Sequence, residues 1–236
     1  MKHGRIPMVQ VLDKGSVELI NFMGGDLAVV AAARVSNGAL YETASKGEEG
    51  DRKLIRFLMK HAHTSPFEHS IFTFYVKCPM FVRTEWHRHR TWSYNEVSGR
   101  YTEFNGDYYL PDRIRVQDAK NKQKSVFPGE SHTTTELTFE MQSQIKRLSD
   151  EAYRTYFHLL SLGVARELAR LVIPVNFYTS FYATVDAHNL MHFLSLRDHP
   201  NAQWEINEYA RALKVFFLEK MPMTAEAYEE FRANAT

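Results

Sequence analysis

The sequence predicts an α+β fold, mainly an antiparallel sheet packed with several long helices in a single domain. Three observations carry that prediction. Apolar residues alternate along the chain between short β-branched or aromatic runs and longer segments at helical spacing. The first two strand-like runs are joined by a short turn, as in a hairpin. At 236 residues, 44% hydrophobic and 13% aromatic, the chain can build one core.

Val9 to Phe22 clusters its apolar residues around Asp13-Lys14-Gly15, two short strands and a turn. Asp26 is placed to cap a short helix through Ala33, and Ser36 to Gly50, rich in Gly, Ser and Glu, reads as a mobile surface loop. Leu54, Ile55, Leu58 and Met59 mark a helix from Asp51, its cap, to His63. Thr64-Ser65-Pro66 stops it, because proline disfavours helical geometry in the preceding residue. Ile71 to Cys78 reads as a central strand buried on both faces.

Pro79 opens a helix that continues from Met80 to Arg90 and puts Glu85, Arg88 and His89 within one turn of each other. Beyond Trp92 the periodicity breaks into loop, and Asp107 to Glu130 is a surface excursion. Leu137, Met141, Ile145, Leu148, Ala152 and Tyr156 then keep one apolar stripe on the longest helix, ended by Gly163 and suited to another subunit. Val164 to Ile173 forms a short helix carrying Arg166, Glu167 and Arg170, apolar enough elsewhere to bury Arg170 beside an anion. Pro174 precedes a strand, Val175 to Val185. Asp186 caps Ala187 to Leu196, with Leu190, Phe193 and Leu194 on the apolar face leading into Arg197, and Ala202 to Lys220 is amphipathic.

Twenty-nine basic against 28 acidic side chains leave net charge +1, without the global field used by non-specific nucleic-acid or membrane binders. One cysteine, Cys78, excludes an internal disulfide and points to a reducing compartment. Met1 to Gln10 has no apolar signal region, and no later run approaches the roughly 18 apolar residues of a membrane span. A soluble cytoplasmic protein is expected.

Chemistry concentrates in Arg88 to Tyr101, where three guanidinium forks alternate with hydroxyls, an amide, a carboxylate and aromatic rings. That mixture suits a nucleotide, and Gly99 lets backbone donors approach an anion. Competing readings are weaker. His61 and His63 are two apart, unlike the paired histidines of a zinc helix, so no metal is expected. Cys78 ends an apolar strand with no base beside it and reads as a small buried hydrophobe. Ser98 has no partner base, so it hydrogen-bonds and does not attack.

Arg88-His89-Arg90, seven residues, then Ser98, with Ser93, Asn95, Glu96, Arg100 and Tyr101, resembles the motif of the flavin-dependent thymidylate synthases. His63 through His69, Glu167 through Pro174, and Arg197 followed by Ala202-Gln203-Trp204-Glu205 extend the resemblance over nearly the whole chain. It implies conversion of dUMP to dTMP by one domain spanning 1–236, with the carbon from methylenetetrahydrofolate and the hydride from FAD reduced by NADPH. It also implies a homotetramer with FAD at the subunit junctions.

Carried over by resemblance, dUMP is held by Glu85, Trp86, His87, Arg88, Glu96, Val97, Ser98, Gly99, Arg100, Tyr101, Arg170 and Arg197. FAD is held by Ser65, Arg88, His89, Arg90, Glu96, Asp186, Ala187, His188 and His192, and His63 lies on the folate side. Tyr101 stacks on uracil, Arg100 with Ser98 and Gly99 takes the phosphate, and Arg197 is the catalytic cation that stabilises charge on the ring. Three positions depart from the pattern: Glu85 where glutamine is frequent, and Asp186 and His192 where asparagine is. An ionised glutamate cannot donate, so Glu85 is expected to accept from ribose or Arg88. Two alternatives fit less well. A folate-linked RNA uracil methyltransferase calls for a Gly-rich dinucleotide fingerprint that is absent, and an RNA-binding module for a continuous basic face.

Overall fold

In a computed structural model, which describes residues 8–38 and 40–231, the chain runs β1 (Met8–Val11), β2 (Gly15–Met23), α1 (Asp26–Arg34), α2 (Glu48–Lys60), β3 (Ile71–Pro79), α3 (Met80–Trp86) and β4 (Ser93–Glu96). A two-stranded excursion, β5 (Val116–Gln117) and β6 (Ser125–Val126), leads to α4 (His132–Ser161) and α5 (Arg166–Ala169). β7 (Tyr178–Asp186), α6 (Ala187–Arg197), α7 (Trp204–Lys220) and α8 (Pro222–Phe231) complete it. Most of the reading of Met1 to Gln10 lies outside the described residues. Among those described, no helix is long and apolar enough to cross a membrane.

The main sheet has the order β1-β2-β3-β7-β4, every neighbour antiparallel. The opening hairpin turns at Gly15, where any Cβ would collide with the Tyr209 hydroxyl and the Val11 carbonyl, so only glycine fits. β3 is central, as expected, but it is covered on one face only. Phe72, Phe74, Val76 and Cys78 are buried with Phe181, Ala183 and Val185 of β7 beneath α6 and α7, where Phe74 meets Phe216 and Phe72 meets Phe217. The opposite face pairs Thr73 with Thr184 at 3.1 Å and Tyr75 with Tyr182, and Tyr182 is 48% exposed. The alternation shows an antiparallel sheet with one dry side, although the apolar run alone suggested two.

Several boundaries differ from the sequence reading for tertiary reasons. α2 begins at Glu48, and Asp51 lies inside it, its carboxylate turned inward to Arg34, Ser45 and the Lys46 amide and not capping the helix. Asp26 makes no side-chain cap on α1. It accepts from the Met223 and Thr224 amides and the Thr224 hydroxyl, so it caps α8, a helix the sequence reading omits. α3 stops at Trp86, not Arg90, because the Trp86 carbonyl takes the His89 amide and the Tyr94 hydroxyl in place of another helical turn. Ser93 to Glu96, read as loop, is an edge strand. It has no β-branched residue, and pairing with β7 decides its conformation. β7 starts at Tyr178, three residues later than predicted.

α4 carries the expected glycine stop and an N-terminal cap that the sequence reading omits. The Ser131 side chain accepts from the Thr134 amide, and Gly163 sits at φ 81° after the last turn. Its stripe is only half covered. Tyr156 is buried, while Leu137 and Leu148 are exposed. The following segment is not buried either: α5 is a single turn continued by a 3₁₀ turn, and Arg170 is exposed, as are Arg166, Glu167 and Leu168. The expected burial of Arg170 fails because the apolar residues of this segment face outward, Leu168 and Leu171 being 56% and 76% exposed.

Candidate active site

Arg197 is the last residue of α6, and its carbonyl is held by the buried Asn207 of α7 through a 2.8 Å bond. Its guanidinium reaches across to the end of α3. There Nε donates to His89 Nε2 at 3.0 Å, one terminal nitrogen donates to the Glu85 carboxylate at 2.8 Å and the other to the Glu85 carbonyl at 3.3 Å. Glu85 therefore accepts from Arg197, not from Arg88. The turn that presents His89 is tied by the Tyr94 hydroxyl, which lies 2.9 Å from the His89 carbonyl. The His89 ring is buried against Phe193, with His192 beside it. Burial first, then the charge of Arg197 and the nearby His192, pushes its pKa down to about 4, so the ring is neutral at ordinary pH. Because Nε2 accepts, the proton belongs on Nδ1.

A second cluster lines a cleft of about 810 Å³ between α3, the β4 edge and the segment after α5. Glu96, Val97, Ser98, Gly99 and Arg170 from the expected set lie on its wall. Glu96 accepts from Thr179 at 2.7 Å and faces Arg83 Nε at 3.5 Å. Ser98 starts a turn: its hydroxyl accepts the Arg100 amide, and its carbonyl accepts the amides of Tyr101 and Thr102. A Cβ on Gly99 would stand 3.2 Å from Phe104 and 3.3 Å from the Arg170 side chain, so glycine lets the backbone and Arg170 approach closely. Arg100 pairs with Glu167 at 3.0 Å.

The remaining expected residues are dispersed. Arg88 and Arg90 are exposed and have no ion pair among the described residues. Tyr101 is 80% exposed and outside the cleft. Trp86 has no exposed surface. It packs among Trp92, Phe181, Phe193 and Tyr209, leaving no side-chain surface for a ligand. His87 stacks on Tyr94. Asp186 caps α6 through the Asn189 amide, and Ala187 donates to the Ser70 carbonyl, while His188 and the exposed His192 follow on α6. Ser65 and His63 lie exposed after α2, where His63 meets Phe57 and His61. None of Arg88, His89, Arg90, Arg197, Asp186 or His192 lines the cleft, so one chain holds the expected site as separate clusters.

Among the polar residues that build these clusters, sequence reasoning passes over Lys77, Arg83 and Thr179 on the cleft and Asn207 behind Arg197. Met80, Arg83 and Thr84 stand at i, i+3 and i+4 on α3, a spacing that marks one face. Asn207 has no comparable signal beyond being polar within an apolar stretch. Cys78 is wholly buried, and burial holds its thiol pKa well above the usual value. Among the described residues no group of His, Cys, Asp or Glu is arranged to hold a metal ion.

The family model described as Thymidylate synthase complementing protein matches residues 18–223. The flavin-dependent thymidylate synthase of Thermotoga neapolitana is 46% identical over 223 residues, 94% of this chain and 94% of that protein. That of Thermus thermophilus is 47% identical over 222 residues, 94% of this chain and 78% of the relative. Among solved structures, the UMP/dUMP methylase PolB from Streptomyces cacaoi, bound with 5-Br dUMP, superposes with a TM-score of 0.86. It is 36% identical, and the match covers 97% of this chain and 100% of that one. With a family model spanning most of its length and relatives above 45% identity on both counts, the chain belongs to the flavin-dependent thymidylate synthases.

Proposed function

We propose that this protein methylates dUMP reductively to dTMP, taking the carbon from methylenetetrahydrofolate and reducing equivalents from NADPH through FAD. The overall balance is dUMP, methylenetetrahydrofolate, NADPH and a proton giving dTMP, tetrahydrofolate and NADP⁺. Family membership supports the reaction, and the single structural observation that carries the site is Arg197, held by Glu85 and His89 with part of its guanidinium left for a ligand. A fixed cation at the uracil edge stabilises negative charge that builds on the ring as C6 receives hydride.

The donor set fits a flavin dinucleotide. Arg88 and Arg90 are exposed guanidinium groups without a carboxylate partner among the described residues, free to meet a pyrophosphate. The start of α6 is a poorer anion seat, since Asp186 puts a carboxylate there and takes the Asn189 amide. When bound, the flavin supplies hydride. The chain's own residues bind and polarise: Arg170, Ser98 and the Gly99 backbone receive the nucleotide phosphate in the cleft, with Arg100 released from Glu167 to join them. Glu96, already bonded to Thr179, orients the ribose.

Separation of the clusters within one chain supports a homotetramer in which FAD and dUMP sit at subunit junctions, completed by Tyr101 from an exposed position. His63 serves the folate side, and the reducing cytoplasm suits the single buried thiol. The name of the Streptomyces neighbour, a UMP/dUMP methylase, favours UMP as the second substrate to try. The test is an anaerobic absorption spectrum with NADPH, followed by product analysis with dUMP, UMP and a short uracil-containing RNA. Flavin bands that bleach and dTMP formed from dUMP are expected. A protein that takes up no flavin, or that methylates only the RNA, would refute the proposal.

A further inference from the structure

We propose that His89 and Glu85 are positioning residues that clamp Arg197, leaving it one free N–H on each terminal nitrogen for the substrate. The inference rests on Arg197 as the cation at the uracil edge and reassigns His89 from a cofactor contact to a support. A guanidinium has five N–H groups in one plane. Here one goes to His89 Nε2, one to the Glu85 carboxylate and one to the Glu85 carbonyl. Two remain, and their directions are set by the three bonds already made. Asn207 holds the backbone end of the same residue. The Arg197 side chain is mostly buried but keeps 18% of its surface exposed, so it stays within reach of a ligand.

His89 suits this task. The ring is 8% exposed, and its Nε2 is already accepting from Arg197. An imidazolium could not accept that bond, and burial with the adjacent guanidinium keeps the ring neutral. Glu85 contributes both a charged and a backbone acceptor, which glutamine would retain in part through its amide oxygen. A side chain without an acceptor at the His89 Nε2 position leaves a half-buried Arg197 N–H unpaired and lets the fork rotate.

The experiment is a double-mutant cycle on the flavin-loaded protein, reading the dUMP Kd by calorimetry, single-turnover dTMP formation, and flavin content from the visible spectrum. His89→Leu is expected to weaken dUMP binding about tenfold or more, the range for a hydrogen bond to a charged group, with flavin content unchanged. His89→Gln, whose amide oxygen reaches the Nε2 position, should recover most of the loss, whereas His89→Asn, which is too short, should not. Adding His89→Leu to Arg197→Ala should cost nothing further. Losses that multiply, equal effects of Gln, Asn and Leu, or flavin loss with unchanged dUMP affinity would overturn the clamp while leaving Arg197's role intact. Wild-type dUMP affinity and rate in Arg197→Ala would overturn both. The Gln and Asn pair decides the matter even if His89→Leu does not fold.

Discussion

Cys78 and Asp51 show how burial sets the chemistry of single side chains. Cys78 has no exposed surface, and burial, with the Glu96 charge as a smaller contribution, raises its thiol pKa. Native protein should therefore leave Ellman's reagent unreacted until it is unfolded, and Cys78→Ala should keep full turnover. Rapid labelling of the folded protein would contradict this. Asp51 is the opposite case. Burial alone would raise its pKa, but bonds from Ser45, the Lys46 amide and Arg34 more than offset that, leaving it below the ordinary 3.8. The unfolded carboxylate takes up its proton first as pH falls, so the stabilisation is complete above about pH 4 and disappears as pH drops through the folded pKa. Urea midpoints measured below pH 4 should fall less steeply for Asp51→Asn than for wild type. Parallel slopes would show that Asp51 does not contribute to acid sensitivity.

Among the elements, α8 depends on a residue near the start of the chain. Asp26 takes two amides, those of Met223 and Thr224, and the Thr224 hydroxyl at 2.6 Å, an N-terminal cap supplied from α1. Arg52 and Arg56 of α2 pair with Glu226 and Glu230 along the same helix. Those pairs are partly exposed and contribute little, so the cap should dominate. Asp26→Ala is expected to cost about 1–2 kcal/mol by urea unfolding, as lost caps do, and to raise hydrogen exchange in α8 more than in β3. Unchanged exchange in α8 would count against this cap. The same dependence on distant partners explains why β4 escaped a propensity reading while α4, with its own apolar stripe and Gly163 stop, did not.

At the scale of the whole molecule, one chain leaves Leu162 and Leu168 more than half exposed after α4, and Leu171 and Val175 likewise on the wall of the cleft. Four large apolar side chains left this exposed within fourteen residues suit an interaction face. In the proposed homotetramer it is covered, and light scattering should return four times the 27.5 kDa chain mass. Leu168→Glu with Leu171→Glu should lower that mass and release flavin together. A monomer that retains one tightly bound flavin would refute the tetrameric site.

Read alone, the sequence determined the kinds of group at the site, the hairpin around Gly15, the glycine stop of α4 and the Asp186 cap of α6, and the family through Arg88 to Tyr101. These features rest on local spacing, because caps, turns and motif residues act within a few positions of each other. Only the tertiary structure decided that Glu85 serves Arg197, 112 residues away, that Asp26 caps a helix 197 residues on, and that the Trp86 side chain is wholly buried. It also decided that the central sheet has one dry face. Those outcomes depend on which segments the sheet order β1-β2-β3-β7-β4 brings side by side, and no local pattern encodes a partner so far along the chain.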